Sequence, residues 1–269
     1  MRRSAGGVTA NFIQFDRDQR IRYGFAVTTS APLLQSAGRK RRYAELLENG
    51  AHLTASEFLR RFEAMPEVKK AELINGIVYM GSPVRYDQHG APDSLIQGWL
   101  FTYAVATPGV RSATNSTIRL GPDDVPQPDG LLLVLPECGG QTHVDAKGYL
   151  QGPPELVVEV AASSASFDAR EKAASYRRAG SREYLLWRTE DAAIDWLILE
   201  EDEYRPLSPG ADGLLRSRIF PGLWLAPEAL LAEDGAKVIA KLQEGLKSPE
   251  HAVFITELQR ARKRSDPSL

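Results

Sequence analysis

Glu155-Leu156-Val157-Val158-Glu159-Val160-Ala161 reads as a short strand that is apolar throughout except for Glu159. A brief run rich in Val and Leu suits a strand buried on both faces. A carboxylate inside such a run is costly. Glu is almost never fully buried without a partner, and an unpaired ion in a dry interior is strongly destabilising even after relaxation. Upstream, Pro128-Asp129-Gly130-Leu131-Leu132-Leu133-Val134-Leu135 repeats the pattern, with an acid at the mouth of an apolar strand. Two acids on two core strands are best explained by a shared cation. That points to a metal-dependent hydrolase site and towards a nuclease. The two-residue alternation of a strand puts Val157, Glu159 and Ala161 on one face. The bland alternatives are an edge-strand Glu159 facing water and an Asp129 that only serves the turn after Pro128.

Working outward, Thr54-Ala-Ser-Glu57 is a capping box that opens a helix with Phe58, Leu59 and Phe62 on its apolar side. Ala71-Glu-Leu-Ile-Asn-Gly-Ile-Val-Tyr-Met80 predicts a hairpin, because Asn-Gly between apolar runs suits a tight primed turn. Leu95, Ile96, Trp99, Leu100, Tyr103 and Val105 predict a helix within 86–106. Residues 111–120 and 129–135 are expected as strands, with 136–154 a long connection. After Glu159 a small-residue loop containing Ser163, Ser164 and Ser166 leads to a helix that opens near Asp168 and closes at Gly180. Further strands are expected over 183–187, 194–199 and 203–207, an extended segment over 219–225, and helices beyond Pro227. Helices are interspersed among strands without strict alternation. The expected class is therefore α/β in the broad sense: an α+β mixed sheet with helices on its faces. The divisions expected are a loosely ordered extension over residues 1–50, a compact domain over 51–230, and a helical basic tail over 231–269. The cluster Arg39-Lys-Arg-Arg42 suits a solvated tail better than a phosphate site.

Composition narrows the function classes. The chain has 269 residues, 43% hydrophobic and 25% charged, as soluble globular proteins have. Cys138 is the only cysteine, so no disulfide framework exists, and a reducing, cytoplasmic setting is expected. No run is long and apolar enough for a membrane span, and no apolar stretch follows Arg2 and Arg3 to make a secretory signal. Net charge is −2, so DNA binding would rest on local clusters rather than a global field. No Gly-x-Gly-x-x-Gly turn, Walker loop or Gly-x-Ser-x-Gly elbow occurs, and the four histidines show no zinc-binding spacing.

Hard cations such as Mg²⁺ take carboxylate oxygens and keep several waters. Asp129 and Glu159 are the candidate ligands, with the backbone carbonyl of Val160 beside them. Lys172, on the helix after the Glu159 strand, is the candidate ammonium for orienting water; its ordinary alternative is a solvated surface lysine. Glu72, ahead of the Asn-Gly turn, is a candidate third acid, or else an exposed residue at a strand start. His89, at the start of a helix, is a candidate for contacting phosphate or serving as an acid, but a role-free residue there is the better reading. Trp99, Trp187, Trp196 and Trp224 read as packing residues.

The combination of Gln127-Pro-Asp129, Gly152-Pro-Pro-Glu-Leu-Val-Val-Glu159-Val, Ser163-Ser, Asp168, Lys172, Tyr176, Gly180 and Glu183-Tyr184 resembles the Uma family. These are restriction-endonuclease-like proteins of the PD-(D/E)XK nuclease superfamily. The helix Ala55–Phe62, the Glu72-Leu-Ile-Asn-Gly segment and His89 match its N-terminal pattern, and the resemblance covers about residues 52–230. It implies a restriction-endonuclease-like core and metal ligation by Asp129 and Glu159, with Glu72 as an additional acid. The superfamily's usual lysine stands two residues after the second acid, where this chain has Ala161; the matching residue here is Lys172. The resemblance thus implies a Mg²⁺-dependent DNA endonuclease, with Mn²⁺ as a substitute ion and a homodimer for cutting both strands. The alternative is an inactive nuclease-fold module that binds DNA or a protein partner. A hydrolase acting on RNA or nucleotides is a weaker third.

Overall fold

A computed structural model describes residues 46–162 and 168–265. Most of the 1–50 extension and the loop carrying Ser163, Ser164 and Ser166 lie outside the described residues. Helix α1 (Ala55–Glu63) is capped by Thr54, whose hydroxyl accepts from Glu57 N at 3.4 Å. The reciprocal half of the capping box is missing, because the Glu57 carboxylate turns to Arg60 and Arg61 instead. The hairpin β1 (Ala71–Ile74) and β2 (Ile77–Met80) forms in the expected register around Asn75 and Gly76. Both turn residues are left-handed, at φ 51 and 74°, as a type I′ turn requires. Tyr86–Gly90 winds as a π-helical turn into α2 (Ala91–Ala106).

The stretch 111–120 is not one strand. It divides into β3 (Val110–Thr114) and β4 (Ile118–Arg119), which join different sheets. The break is at Asn115, which is left-handed at φ 48°, a conformation Asn tolerates better than most residues. β5 (Gly130–Val134) follows, then β6 (His143–Val144) and β7 (Leu150–Gln151) within the long connection, then β8 (Leu156–Ala161). α3 (Asp168–Ala179) ends at Gly180, and β9 (Glu183–Arg188), β10 (Ala193–Glu200) and β11 (Glu203–Pro206) form a meander. The expected extended run at 219–225 contributes only β13 (Trp224–Leu225), which pairs with β12 (Leu215–Arg216).

The main sheet has the order β11-β10-β9-β8-β5-β3. Only β8 and β9 run parallel; the other neighbours are antiparallel. This is a mixed sheet with helices on its faces. The alternation of β8 sorts its residues cleanly. Leu156, Val158 and Val160 join the large core with Trp99, Tyr103 and Trp196 on the α2 side. Val157 joins Tyr176 of α3 with Tyr184 and Leu186 of β9 on the other side. Of the residues read as the α2 apolar face, Val105 is exposed. The C-terminal helices α4 (Pro227–Leu231), α5 (Gly235–Gly245) and α6 (Pro249–Ser265) send Leu230, Val238, Leu242 and Leu258 into the large core. Their basic run lies in the last turn of α6. Among the described residues, no helix is long and apolar enough to cross a membrane.

Candidate active site

The site lies where β5 and β8 part. Their antiparallel ladder ends at Gly130↔Val158. One step beyond, Val160 N donates to Asp129 Oδ2 at 2.9 Å, so a side chain takes the place of a ladder carbonyl. Gly130 permits this approach to α2: a Cβ there would lie 2.8 Å from Leu100 Cδ1 and 2.9 Å from Gln97 Nε2. Gln97 Nε2 in turn donates to Asp129 O at 2.8 Å. Asp129 is therefore held by backbone and helix as well as by its charge partners, and it is more than a turn residue.

Glu159 stands on an inner strand, not an edge, and is 5% exposed. It points to the α3 side. Lys172 Nζ donates to its two carboxylate oxygens at 3.0 and 3.1 Å, and Tyr176 OH donates to Oε1 at 3.1 Å. Lys172 and Tyr176 are four positions apart, about one helical turn, which is why both meet the same strand residue. Lys172 also reaches Glu72 Oε1 at 2.9 Å. Glu72 accepts from Gln127 N at 2.7 Å, and Gln127 Oε1 accepts from Ala71 N at 3.2 Å, which ties the hairpin to the Gln127-Pro-Asp129 segment. Lys172 thus sits between two of the three acids, on a helix packed over the strand.

Two residues complete the cluster. Lys70 Nζ donates to Asp129 Oδ1 at 2.8 Å, and His89 Nε2 meets Asp129 Oδ2 at 3.2 Å. Sequence reasoning misses Lys70 and gives His89 no part. The signal for Lys70 is its place two residues before Glu72, on the same side of an extended chain. The signal for His89 is weaker, because the π turn that aims it has no clear sequence signature. Glu72, His89, Asp129, Glu159 and both lysines line one cleft of about 240 Å³.

The electrostatics follow from the count of charges. Burial works to raise the Asp129 carboxyl, but the hydrogen bond from His89 and the ammonium groups of Lys70 and Lys172 outweigh it and hold the group well below the usual carboxylate range. The Glu159 carboxyl goes the other way. Burial pushes it up to about 7, Lys172 opposes, and the Asp129 and Glu72 carboxylates add to the rise. One ammonium shared with Glu72 leaves Glu159 undercompensated. Burial would lower Lys172, yet Glu159, Glu72 and Asp129 keep its ammonium well above the ordinary value. Asp129 likewise helps to hold Lys70 and His89 up.

Among the described residues, no three His, Cys, Asp or Glu side chains form a ready metal cage; lysines stand between the acids. The donor set nonetheless suits a hard cation. Two carboxylates and a neighbouring backbone carbonyl leave room for the waters such an ion keeps, and three acids against two ammonium groups favour added positive charge.

No curated protein matches the chain. A crystal structure described as "a putative nuclease belonging to DUF820", from Anabaena variabilis ATCC 29413, is similar at 15% identity, covering 65% of this chain and 97% of that one, with a TM-score of 0.49. The Uma2 family, described as "Putative restriction endonuclease", matches residues 55–228. That span is more than half of the chain and carries every residue of the cleft, and the chain belongs to the Uma2 family.

Proposed function

We propose that the protein is a metal-dependent nuclease that hydrolyses phosphodiester bonds in DNA. The observation that carries this reading is the convergence of Glu72, Asp129 and Glu159 with Lys70 and Lys172 on one cleft. Asp129, Glu159 and the Val160 carbonyl would hold a Mg²⁺ or Mn²⁺ ion, which when bound polarises a phosphoryl oxygen and makes water a better nucleophile. Lys172 fixes Glu159 and Glu72 and orients the attacking water. Lys70, a third exposed, faces the open side of Asp129, where a substrate phosphate would arrive. His89 holds the Asp129 carboxylate in place. Water adds to phosphorus as the opposite P–O ester bond breaks, and the departing oxygen takes up a proton, leaving a phosphate monoester and a hydroxyl end.

The test is incubation of the full chain with single-stranded circular DNA and with supercoiled plasmid in Mg²⁺, in Mn²⁺ and in chelator, beside Asp129→Ala and Lys172→Ala. Metal-dependent cleavage of DNA by the native chain that is lost in both variants is the expected result. A second reading, a module that binds without cutting, is favoured by one observation: Glu72, Asp129 and Glu159 each already have a lysine partner, so much of their charge is offset without a metal. That reading requires no cleavage of either DNA in either metal and no rise in melting temperature with millimolar Mg²⁺, since a ligand specific to the folded state must stabilise it.

A further inference from the structure

From the end of β2 into the first two residues of the π turn, seven consecutive residues, Gly81-Ser-Pro-Val-Arg-Tyr-Asp87, are exposed. Loops usually expose small and polar groups, but here Val84 is 66% and Tyr86 80% exposed. The Arg85 guanidinium donates to Gln88 Oε1 at 3.3 Å, and among the described residues no carboxylate pairs with it. Large apolar surface and an unpaired cation side by side are therefore left open to solvent.

This segment is mechanically part of the cleft. Arg85 O accepts from His89 N at 3.1 Å and from Gly90 N at 3.0 Å, so the same turn presents the loop and delivers His89 to Asp129. A second cavity of about 290 Å³ is bounded by Val84, Arg85 and Gln88, and it shares Lys70, His89 and Ala162 with the main cleft. The Asp129 side of the acid cluster thus adjoins this cavity through Lys70 and His89.

We propose that Val84-Arg85-Tyr86 is a docking lip for unpaired nucleotides beside the scissile phosphate, so that the substrate is single-stranded DNA rather than closed duplex. The proposal rests on the nuclease reading of the cleft. Its chemistry is that of single-strand recognition: an aromatic face for a base, an apolar neighbour, and a guanidinium for the backbone phosphate. Bases inside a duplex offer no free face to Tyr86 unless they are flipped out. Asp129 and Glu159 are 3% and 5% exposed, so the reacting phosphate must reach down into the cleft. A flexible strand does this readily; a duplex, stiff over about 150 base pairs, must be deformed. A net charge of −2 also leaves little general attraction for duplex.

The test is fluorescence anisotropy of the full chain in chelator, where nothing is cut, with a labelled DNA strand of about 16 nucleotides, the upper end of single-strand site sizes, and with its blunt duplex. The native chain is expected to bind the strand more tightly than the duplex. Tyr86→Ala is expected to weaken strand binding by about 5- to 150-fold, the range for removal of one stacked base, while Tyr86→Phe restores it. Arg85→Ala is expected to weaken binding and to make the salt dependence shallower by about 0.7 for each phosphate that the guanidinium neutralises in the native chain. A 2-aminopurine base in the strand should be quenched on binding by the native chain and not by Tyr86→Ala, which a merely structural Tyr86 would not produce. Equal strand binding by Tyr86→Ala and the native chain, or duplex bound as tightly as strand, overturns the proposal. Tighter binding of the matching RNA strand overturns the assignment to DNA. Because binding is read without cleavage, metal-dependent cleavage of the labelled strand with an inert Tyr86→Ala sinks the lip alone, whereas the expected binding without cleavage of the strand in any metal sinks the nuclease reading alone.

Discussion

Two regions of this protein bury carboxylates, and they do so in opposite ways. At the start of β9, Glu183 is fully buried and takes all its bonds from neutral donors: Ser217 Oγ at 2.7 Å, Arg218 N at 2.7 Å, Ile219 N at 3.2 Å and Trp196 Nε1 at 3.3 Å. Glu155, one residue before β8, likewise accepts from Val134 N at 2.8 Å and Gln141 N at 3.2 Å. These acids staple loops to strand ends. In the cleft, Asp129, Glu159 and Glu72 are bonded to ammonium groups and open to a cavity. Burial of an acid therefore does not by itself mark a candidate site. What sets the cleft apart is charge gathered to offset charge around a space that a ligand can occupy.

The comparison breaks or sharpens at Lys172 first. Lys172→Met leaves Glu72 and Glu159 without their shared cation, and removal of one partner from a buried ion cluster costs about 3–5 kcal/mol. Urea unfolding without added metal is expected to show a destabilisation of that size. Lys172→Met combined with Glu159→Gln should recover part of it, because one of the stranded charges is gone. A single variant as stable as the native chain would mean that the cluster is not an electrostatic unit. Next in size is Glu183→Gln. Replacing one oxygen by an amide nitrogen opposes donors to donors at Ser217 and Trp196, at a cost of about 1–3 kcal/mol. Its metal-dependent cleavage of DNA should match the native rate at temperatures where both are folded. Abolished cleavage with retained melting would place Glu183 in the chemistry and erase the distinction.

This contrast explains how far the sequence can be read. Glu159 attracts notice as an acid within an apolar run, but Glu155 and Glu183 stand at the mouths of equally apolar strands and end up just as buried. Nothing in residue type or alternation separates a stapling acid from a cleft acid. The separation depends on what lies across from each one, and that is long-range: Glu183 meets Ser217–Ile219, while Asp129 meets Lys70 and His89. The hairpin at Asn75-Gly76, the inner strands and α3 are legible because local turn chemistry and periodicity set them. The break at Asn115 is not, since a weakly alternating stretch gives no sign that its two halves serve different sheets. The core role of α5 and α6 is hidden by their polar composition, which supplies a few buried residues such as Val238, Leu242 and Leu258.

The smallest expected effect is a pH slope. Burial pushes the Glu183 carboxyl up, and the Ser217 hydroxyl and the Arg218 and Ile219 amides only partly pull it back. Its folded-state pKa is thus above the ordinary value of 4.5, and between the two the folded chain holds more proton than the unfolded chain. Stability must then fall as pH rises from 4.5 through the raised value, by at most about 1.4 kcal/mol per pH unit for one proton. Below that window the favourable contribution is fully present. Glu183→Gln cannot ionise and removes this slope, whereas Glu155, also pushed up by burial, keeps its own. Urea midpoints of the two chains, taken at about pH 5 and about pH 8, are therefore expected to show a smaller decline for Glu183→Gln. Parallel declines would mean that neutral donors alone keep Glu183 ionised in the fold. A buried charge would then need no cation, and the lysines of the cleft would no longer distinguish a reactive acid from a stapling one.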